Sequence, residues 1–103
     1  MKYQIIRTAT ADEQLRDIIF YIAEDSGSID IALDYLDKLE HAIHNLEDFP
    51  YLGVSPKYAT LRRQNYLVLA TEKHLVFYKV DKMHYTVTIY AVIDGRREYR
   101  NLL

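Results

Sequence analysis

The chain has no cysteine. Disulfides and thiolate metal sites are therefore excluded, and the composition suits a reducing compartment. Long apolar runs are missing as well: no stretch approaches the ~18 uninterrupted apolar residues of a membrane-spanning helix, so no membrane contact is expected. The opening residues, MKYQIIRTATADEQ, lack the apolar core of a secretory signal, which makes the cytoplasm the expected location. There is no internal repeat, low-complexity tract or linker. A P-loop, a dinucleotide-binding fingerprint and a Ser–His–Asp arrangement are all absent, and no cofactor is expected. His41 and His44 stand three residues apart, but no HExxH pattern accompanies them, so they read as ordinary helix residues and no metal site is expected. His84 falls in a turn and reads as solvated.

What the chain does contain is enough apolar material for one core. Its 103 residues are 50% hydrophobic, consistent with a single domain over 1–103. The net charge of −2 conceals an asymmetry. Residues 1–50 carry 11 acids and 4 bases, whereas residues 51–103 carry 9 bases and 4 acids. Two readings fit: the second half meets an acidic partner, or an acidic helical layer simply lies beside a mildly basic sheet.

The pattern along the chain gives an order of elements. KYQIIR opens as a short strand. TADE then has the form of a capping box, with Thr10 as the cap and Glu13 reaching back. Ala11, Leu15, Ile18 and Ile22 follow at helical spacing, widened by Ile19, and SGS at 26–28 stops the helix with Gly27 free to turn left-handed. Ala32, Leu36, Leu39, Ile43 and Leu46 line a second helix that ends before Pro50. After the loop FPYLGVSPKY, three segments rich in β-branched and aromatic residues read as strands: RRQNYLVLAT, KHLVFYKV and YTVTIYAVI. Short connections make them antiparallel. The expected class is α+β: an N-terminal strand, an antiparallel two-helix hairpin, then a three-stranded antiparallel sheet with the helices on one face. If the first strand pairs with the sheet, it closes a four-stranded layer.

The middle strand has no wet face. His74, Val76, Tyr78 and Val80 point one way, Leu75, Phe77 and Lys79 the other, and both sets are largely apolar. One set meets the helices. The other is covered either by the chain's own tail or by a partner protein.

Taken in order, LRDIIFYIAEDSGSIDIALDYLDKLEHAIHNLEDFP, a glycine, LRR, HLVFYKV and VIDGRREYRNLL make the chain resemble the RelE/ParE superfamily of bacterial toxins over nearly its whole length. The resemblance implies the toxin half of a type II toxin–antitoxin pair. A cognate antitoxin neutralises it, DNA is met only through the antitoxin complex, and the released toxin stops growth. RelE-like members cut messenger RNA on the ribosome. ParE-like members poison DNA gyrase. RelE-like toxins carry an arginine three residues before the tyrosine of the strand matching HLVFYKV, and here that position is Leu75. The apolar residue places the chain with the ParE-like branch, and the lead reading is a non-enzymatic gyrase inhibitor. The alternatives are a metal-independent endoribonuclease acting on ribosome-bound messenger RNA, or an inactive member that only forms a repressor complex with its antitoxin.

The candidate residues follow from these readings. Cleavage by 2′-OH attack needs a base, an acid and cations around the phosphate. The residues for that role are Arg97, Tyr99, His74, Arg62 and Arg63, with Arg97 where RelE-like toxins hold phosphate. Arg96, Arg97, Tyr99 and Arg100 are the candidates for target binding, and Leu75, Phe77, Leu102 and Leu103 for antitoxin binding. Against these roles stands a plainer reading, in which the tail arginines are solvated and Tyr99 packs on the sheet. The ten tyrosines divide similarly between a base-stacking surface and amphipathic filling, with Tyr21, Tyr35, Tyr66, Tyr78 and Tyr90 at apolar-face spacing.

Overall fold

The computed structural model describes residues 2–99. Strand β1 (Gln4–Arg7) runs directly into helix α1 (Ala9–Ser26), and helix α2 (Ile29–His44) follows. A single 3-10 turn, Asn45–Glu47, extends α2. Next come a short helix α3 (Ala59–Arg63) and strands β2 (Leu67–Ala70), β3 (His74–Asp81) and β4 (Thr86–Asp94). The sheet order is β1-β4-β3-β2. β1 lies parallel to β4, and the other pairs are antiparallel. The N-terminal strand thus closes the four-stranded layer.

Local chemistry sets the helix ends. Thr8, not Thr10, caps α1: its side chain accepts the Ala11 N–H at 3.1 Å. The reason lies in the strand before it. The Thr8 N–H still bonds to Ile89 in β4, so the sheet holds the chain extended up to Thr8 and the helix starts at once. Thr10 lies inside the first turn. Gly27 ends α1 at φ 70°, as its sequence position predicts. Ser28 then caps α2 by accepting from the Ile31 N–H. Two residues therefore separate the helices. Arg7 ties the hairpin to β1 through Asp12 at 2.9 Å and Glu40 at 2.6 Å.

The segment RRQNYLVLAT is not one strand. Its first residues belong to α3, which ends where Asn65 takes a left-handed φ of 67°. Only Leu67–Ala70 joins the sheet. This helical turn supplies a layer that sequence pattern does not show. The sheet is packed on both faces. Against α1 and α2 lie Val76, Tyr78, Val87, Ile89 and Val92. Against α3 and the tail lie Val68, Phe77, Ala91 and Ile93, with Leu61, Tyr66 and Tyr99 above them. Neighbours Phe77 and Tyr78 are both 0% exposed. The chain's own α3 and Tyr99 thus cover the second face of β3. Phe77, expected on an antitoxin surface, is inside the protein, while Leu75 remains half-buried at the margin.

A bulge completes the arrangement. The register of β3 on β4 passes from Phe77↔Ala91 to Tyr78↔Ile89, leaving Tyr90 without a partner. Tyr90 and Ala91 consequently face the same layer. That is why IYAVI shows no alternation.

The loop after α2 is pinned to the central strand. The Gly53 N–H donates to the buried Tyr78 hydroxyl at 2.9 Å, and Val54 exchanges two backbone hydrogen bonds with Val68 on edge strand β2. A Cβ at Gly53 would lie 2.7 Å from the Val68 carbonyl oxygen and 2.8 Å from the Tyr78 hydroxyl. Thermal unfolding of two variants tests this attachment. Tyr78→Phe removes the acceptor and is expected to cost about 1–2 kcal/mol. Gly53→Ala is expected to cost more, because the backbone carbonyl it meets cannot rotate away. A melting temperature for Gly53→Ala equal to that of the parent would show that the loop is not held this way.

Candidate functional site

The expected site residues divide by what their side chains are doing. At the end of β4, the Asp94 carboxylate accepts from the Arg96 backbone N–H at 2.8 Å, from Nε at 3.1 Å and from Nη2 at 2.9 Å. Arg96 holds the Asp94 carboxyl well below the usual carboxylate range, and Asp94 raises the arginine in turn. Arg96 is therefore paired within its own turn. Arg62 is also engaged: its guanidinium donates to the carbonyls of Pro56 at 2.9 Å and Lys57 at 2.7 Å, fixing the loop that enters α3. Arg63 and Arg97 are exposed, and neither side chain has a hydrogen bond or ion pair among the described residues. Arg100, Leu102 and Leu103 lie outside the described residues.

Tyr99 is an anchor. It is 7% exposed, its ring centroid lies 4.8 Å from that of Phe77 and 5.0 Å from that of Tyr58, and its hydroxyl accepts the Lys57 N–H. Tyr66 and Tyr90 meet edge to face in the same layer. Lys57 lies over Tyr58 and Tyr99, and Lys79 over Tyr66 and Tyr90. These tyrosines fill a small core with amphipathic rings rather than presenting flat faces. Tyr58 also donates its hydroxyl to Glu98.

His74 is on the other side of the sheet. It is 9% exposed, and its Nδ1 lies 2.6 Å from the hydroxyl of Tyr35 on α2. Burial pushes the imidazole pKa down, outweighing the opposing pull of Asp94. Burial raises the Tyr35 phenol. His74 and Tyr99 thus belong to opposite layers, and this arrangement does not set them around one phosphate. The other histidines are peripheral. His84 pairs with Asp81 at 2.7 Å in the β3–β4 turn, and His44 lies 3.2 Å from Glu47. Among the described residues no three His, Cys, Asp or Glu side chains are grouped to hold a metal ion.

His74, Arg96 and Arg97 do share one feature. They border an open groove of about 1020 Å³ between the second half of α1 and the sheet ends at β3 and β4. Tyr21 and Ile31 also line it, with exposures of 66% and 53%. Tyr21 is not core filling, as its sequence reading suggested. The signal was present: Tyr21 stands beside Ile22, off the Ala11–Leu15–Ile18–Ile22 stripe.

The family model described as "ParE toxin of type II toxin-antitoxin system, parDE" matches residues 5–99. The chain belongs to the ParE toxin family. It is accordingly a toxin of the type II toxin–antitoxin class. The toxin fold recurs in solved structures. A chain of the chromosomal ParDE system from P. aeruginosa matches with a TM-score of 0.74 at 13% identity, covering 90% of this chain and 96% of that one. A chain of the RelBE2 toxin–antitoxin complex from Mycobacterium tuberculosis matches with a TM-score of 0.64 at 19% identity, covering 91% and 99%. No curated protein sequence matches. Among the described residues no helix is long and apolar enough to cross a membrane.

Two experiments test the division of the ParE-family side chains. Arg62→Ala is expected to lower stability by about 1–2 kcal/mol, because it leaves two loop carbonyls unpaired, and Arg63→Ala by no more than about 0.5 kcal/mol. Equal melting temperatures for the two variants would refute the structural role of Arg62. The second experiment is a pH series. A histidine whose folded pKa is depressed favours folding in its neutral form. Its contribution is complete above the unfolded value of about 6.5 and is lost as pH falls through the lower folded value. Chemical denaturation from pH 7.5 to 5 should show stability falling below about 6.5, and His74→Phe should flatten that slope. An unchanged slope in the variant would mean that His74 is not its source.

Proposed function

We propose that the chain arrests growth as a non-enzymatic inhibitor of DNA gyrase and that a cognate antitoxin neutralises it. The toxin class comes from the family match over residues 5–99. The observation that carries the finer reading is the state of the β3 and tail positions. Leu75 occupies the place where RelE-like toxins carry an arginine, and Tyr99 is buried against Phe77 on the layer opposite His74. A leucine cannot stabilise the charge that builds on a phosphate in strand cleavage. An inhibitor that works by occupying a large target needs a surface instead. Its uncommitted cations, Arg97 above all, suit acidic groups on such a target.

Arg97 also favours the second reading, ribosome-dependent cleavage of messenger RNA, because an exposed guanidinium at that position can hold a phosphate. Induced expression separates the two. The gyrase reading expects growth arrest with a DNA-damage response and intact messages, and expects Arg97→Ala to weaken the arrest without lowering the melting temperature. Prompt message cleavage on ribosomes, with no DNA damage, would overturn it.

A further inference from the structure

The far end of the sheet carries an apolar surface that the fold leaves open. Phe49, Tyr51 and Leu52 on the loop after α2, and Met83 in the β3–β4 turn, keep more than half of their surface in water, and Tyr85 nearly half. Tyr3 joins the two segments. Its N–H donates to the Glu47 carbonyl at 2.8 Å, just ahead of the loop, and its ring meets that of Tyr85 edge to face with centroids 5.4 Å apart. Loss of water around the Tyr3 phenol raises its pKa, and Tyr51 and Tyr85 add to the rise, so the three phenols lie together. The backbone beneath them is fixed. The Phe49 N–H donates to the Asn45 carbonyl, the Leu52 N–H to the Phe49 carbonyl and the Gly53 N–H to Tyr78. Most neighbouring charges are spent: Lys2 and His44 lie against Glu47, and His84 against Asp81. Asp48 on the loop and Lys82 in the turn remain, exposed and opposite in sign, and neither side chain has an ion pair or hydrogen bond among the described residues.

We infer that this surface joins two copies of the chain in a two-fold dimer, with the loop of each copy against the turn of the other. Aromatic anchors on a fixed backbone lose little freedom on binding. The exposed parts of these side chains offer roughly 600 Å² per copy, given the usual areas of aromatic residues. A pair of copies therefore covers on the order of 1,200 Å² before any polar rim is added, which reaches the range of specific interfaces. A two-fold interface must be self-complementary. Asp48 and Lys82 stand on the two segments that exchange places, so Asp48 of one copy meets Lys82 of the other, and the pair occurs twice. The helix hairpin does not offer this. Phe20 and Leu33 are exposed there, but Glu24 and Asp37 follow each of them four residues later, on the same face and with no ion pair among the described residues. A second copy would bring those like charges together. The groove beside His74 stays open in the dimer, because β3 (His74–Asp81) holds the two surfaces about 23 Å apart at its opposite ends.

Sedimentation velocity on the whole purified chain, from about 1 to 100 μM, tests the pairing. The 12.2 kDa chain is expected to sediment at twice that mass at the top of the range and to dissociate towards the bottom. Phe49→Asp with Leu52→Asp should weaken association at least about tenfold. Both side chains are exposed, so the far-ultraviolet circular dichroism of this variant should match that of the parent. Lys82→Asp should also weaken association, and adding Asp48→Lys to it should restore the dimer, which a merely local effect at Lys82 would not allow. Phe20→Asp with Leu33→Asp, on the outer side of the hairpin, should leave association unchanged. A monomer throughout the range would overturn the inference. So would a dimer indifferent to the Phe49 and Leu52 changes, equal weakening by the hairpin variant, or failure of Asp48→Lys to restore what Lys82→Asp removes.

Discussion

The architecture depends on covering β3 on both sides. An isolated strand can leave one face wet, but Phe77 and Tyr78 are adjacent, large and fully buried, which forces a layer above and a layer below. The helix hairpin supplies one layer. The other is assembled from pieces too small to stand alone: a five-residue helix, one tail tyrosine and the rings of Tyr58, Tyr66 and Tyr90. Burying a phenylalanine contributes roughly 1.5–3 kcal/mol. Much of what holds α3 and the tail in place is therefore the same apolar surface they cover.

That constraint reaches into the polar contacts. Tyr78 carries a hydroxyl into the helix-side core, where burial raises its pKa, and the Gly53 N–H meets it there. The long loop between α2 and α3 is fastened at its midpoint in this way and again at Val54. Arg62 then draws its second half onto α3 through the carbonyls of Pro56 and Lys57. The result is a loop with exposed side chains, including Tyr51, Leu52 and Val54, and a backbone tied at Gly53, Val54, Pro56 and Lys57.

Much of this was readable in the residues. The stripes of α1 and α2, the stop at Gly27 and the unusual apolarity of HLVFYKV all depend on local period and local turn chemistry. What failed depended on neighbours distant in sequence. Thr8 displaced Thr10 as the cap because β4 holds the Thr8 backbone. Arg62 and Arg63 read as the start of a strand because RRQNYLVLAT carries no clear helical period, and five residues are too few to show one. The bulge at Tyr90 appears only once Ala91 has a partner. For the candidate site, arginines can be counted in a sequence, but whether each is spent cannot. Arg96 and Arg97 are adjacent and chemically identical, yet only Asp94 decides that one is paired and the other free.

This sorting of charge changes how the basic half of the chain is understood. Lys57 and Lys79 cover tyrosine rings, Arg62 holds a loop and Arg96 closes a turn, so the formal excess of positive charge overstates what a partner meets. On the helices the reverse applies. Asp12 and Glu40 are satisfied by Arg7 and Glu47 lies near Lys2, but Asp17 and Asp25 remain open on the flank of α1. Asp17 and Asp25 from the first half and Arg97 from the second line one groove, together with Tyr21 and His74. The residues that look most chemical in the sequence, Tyr99 and His74, are committed to packing and to a buried hydrogen bond.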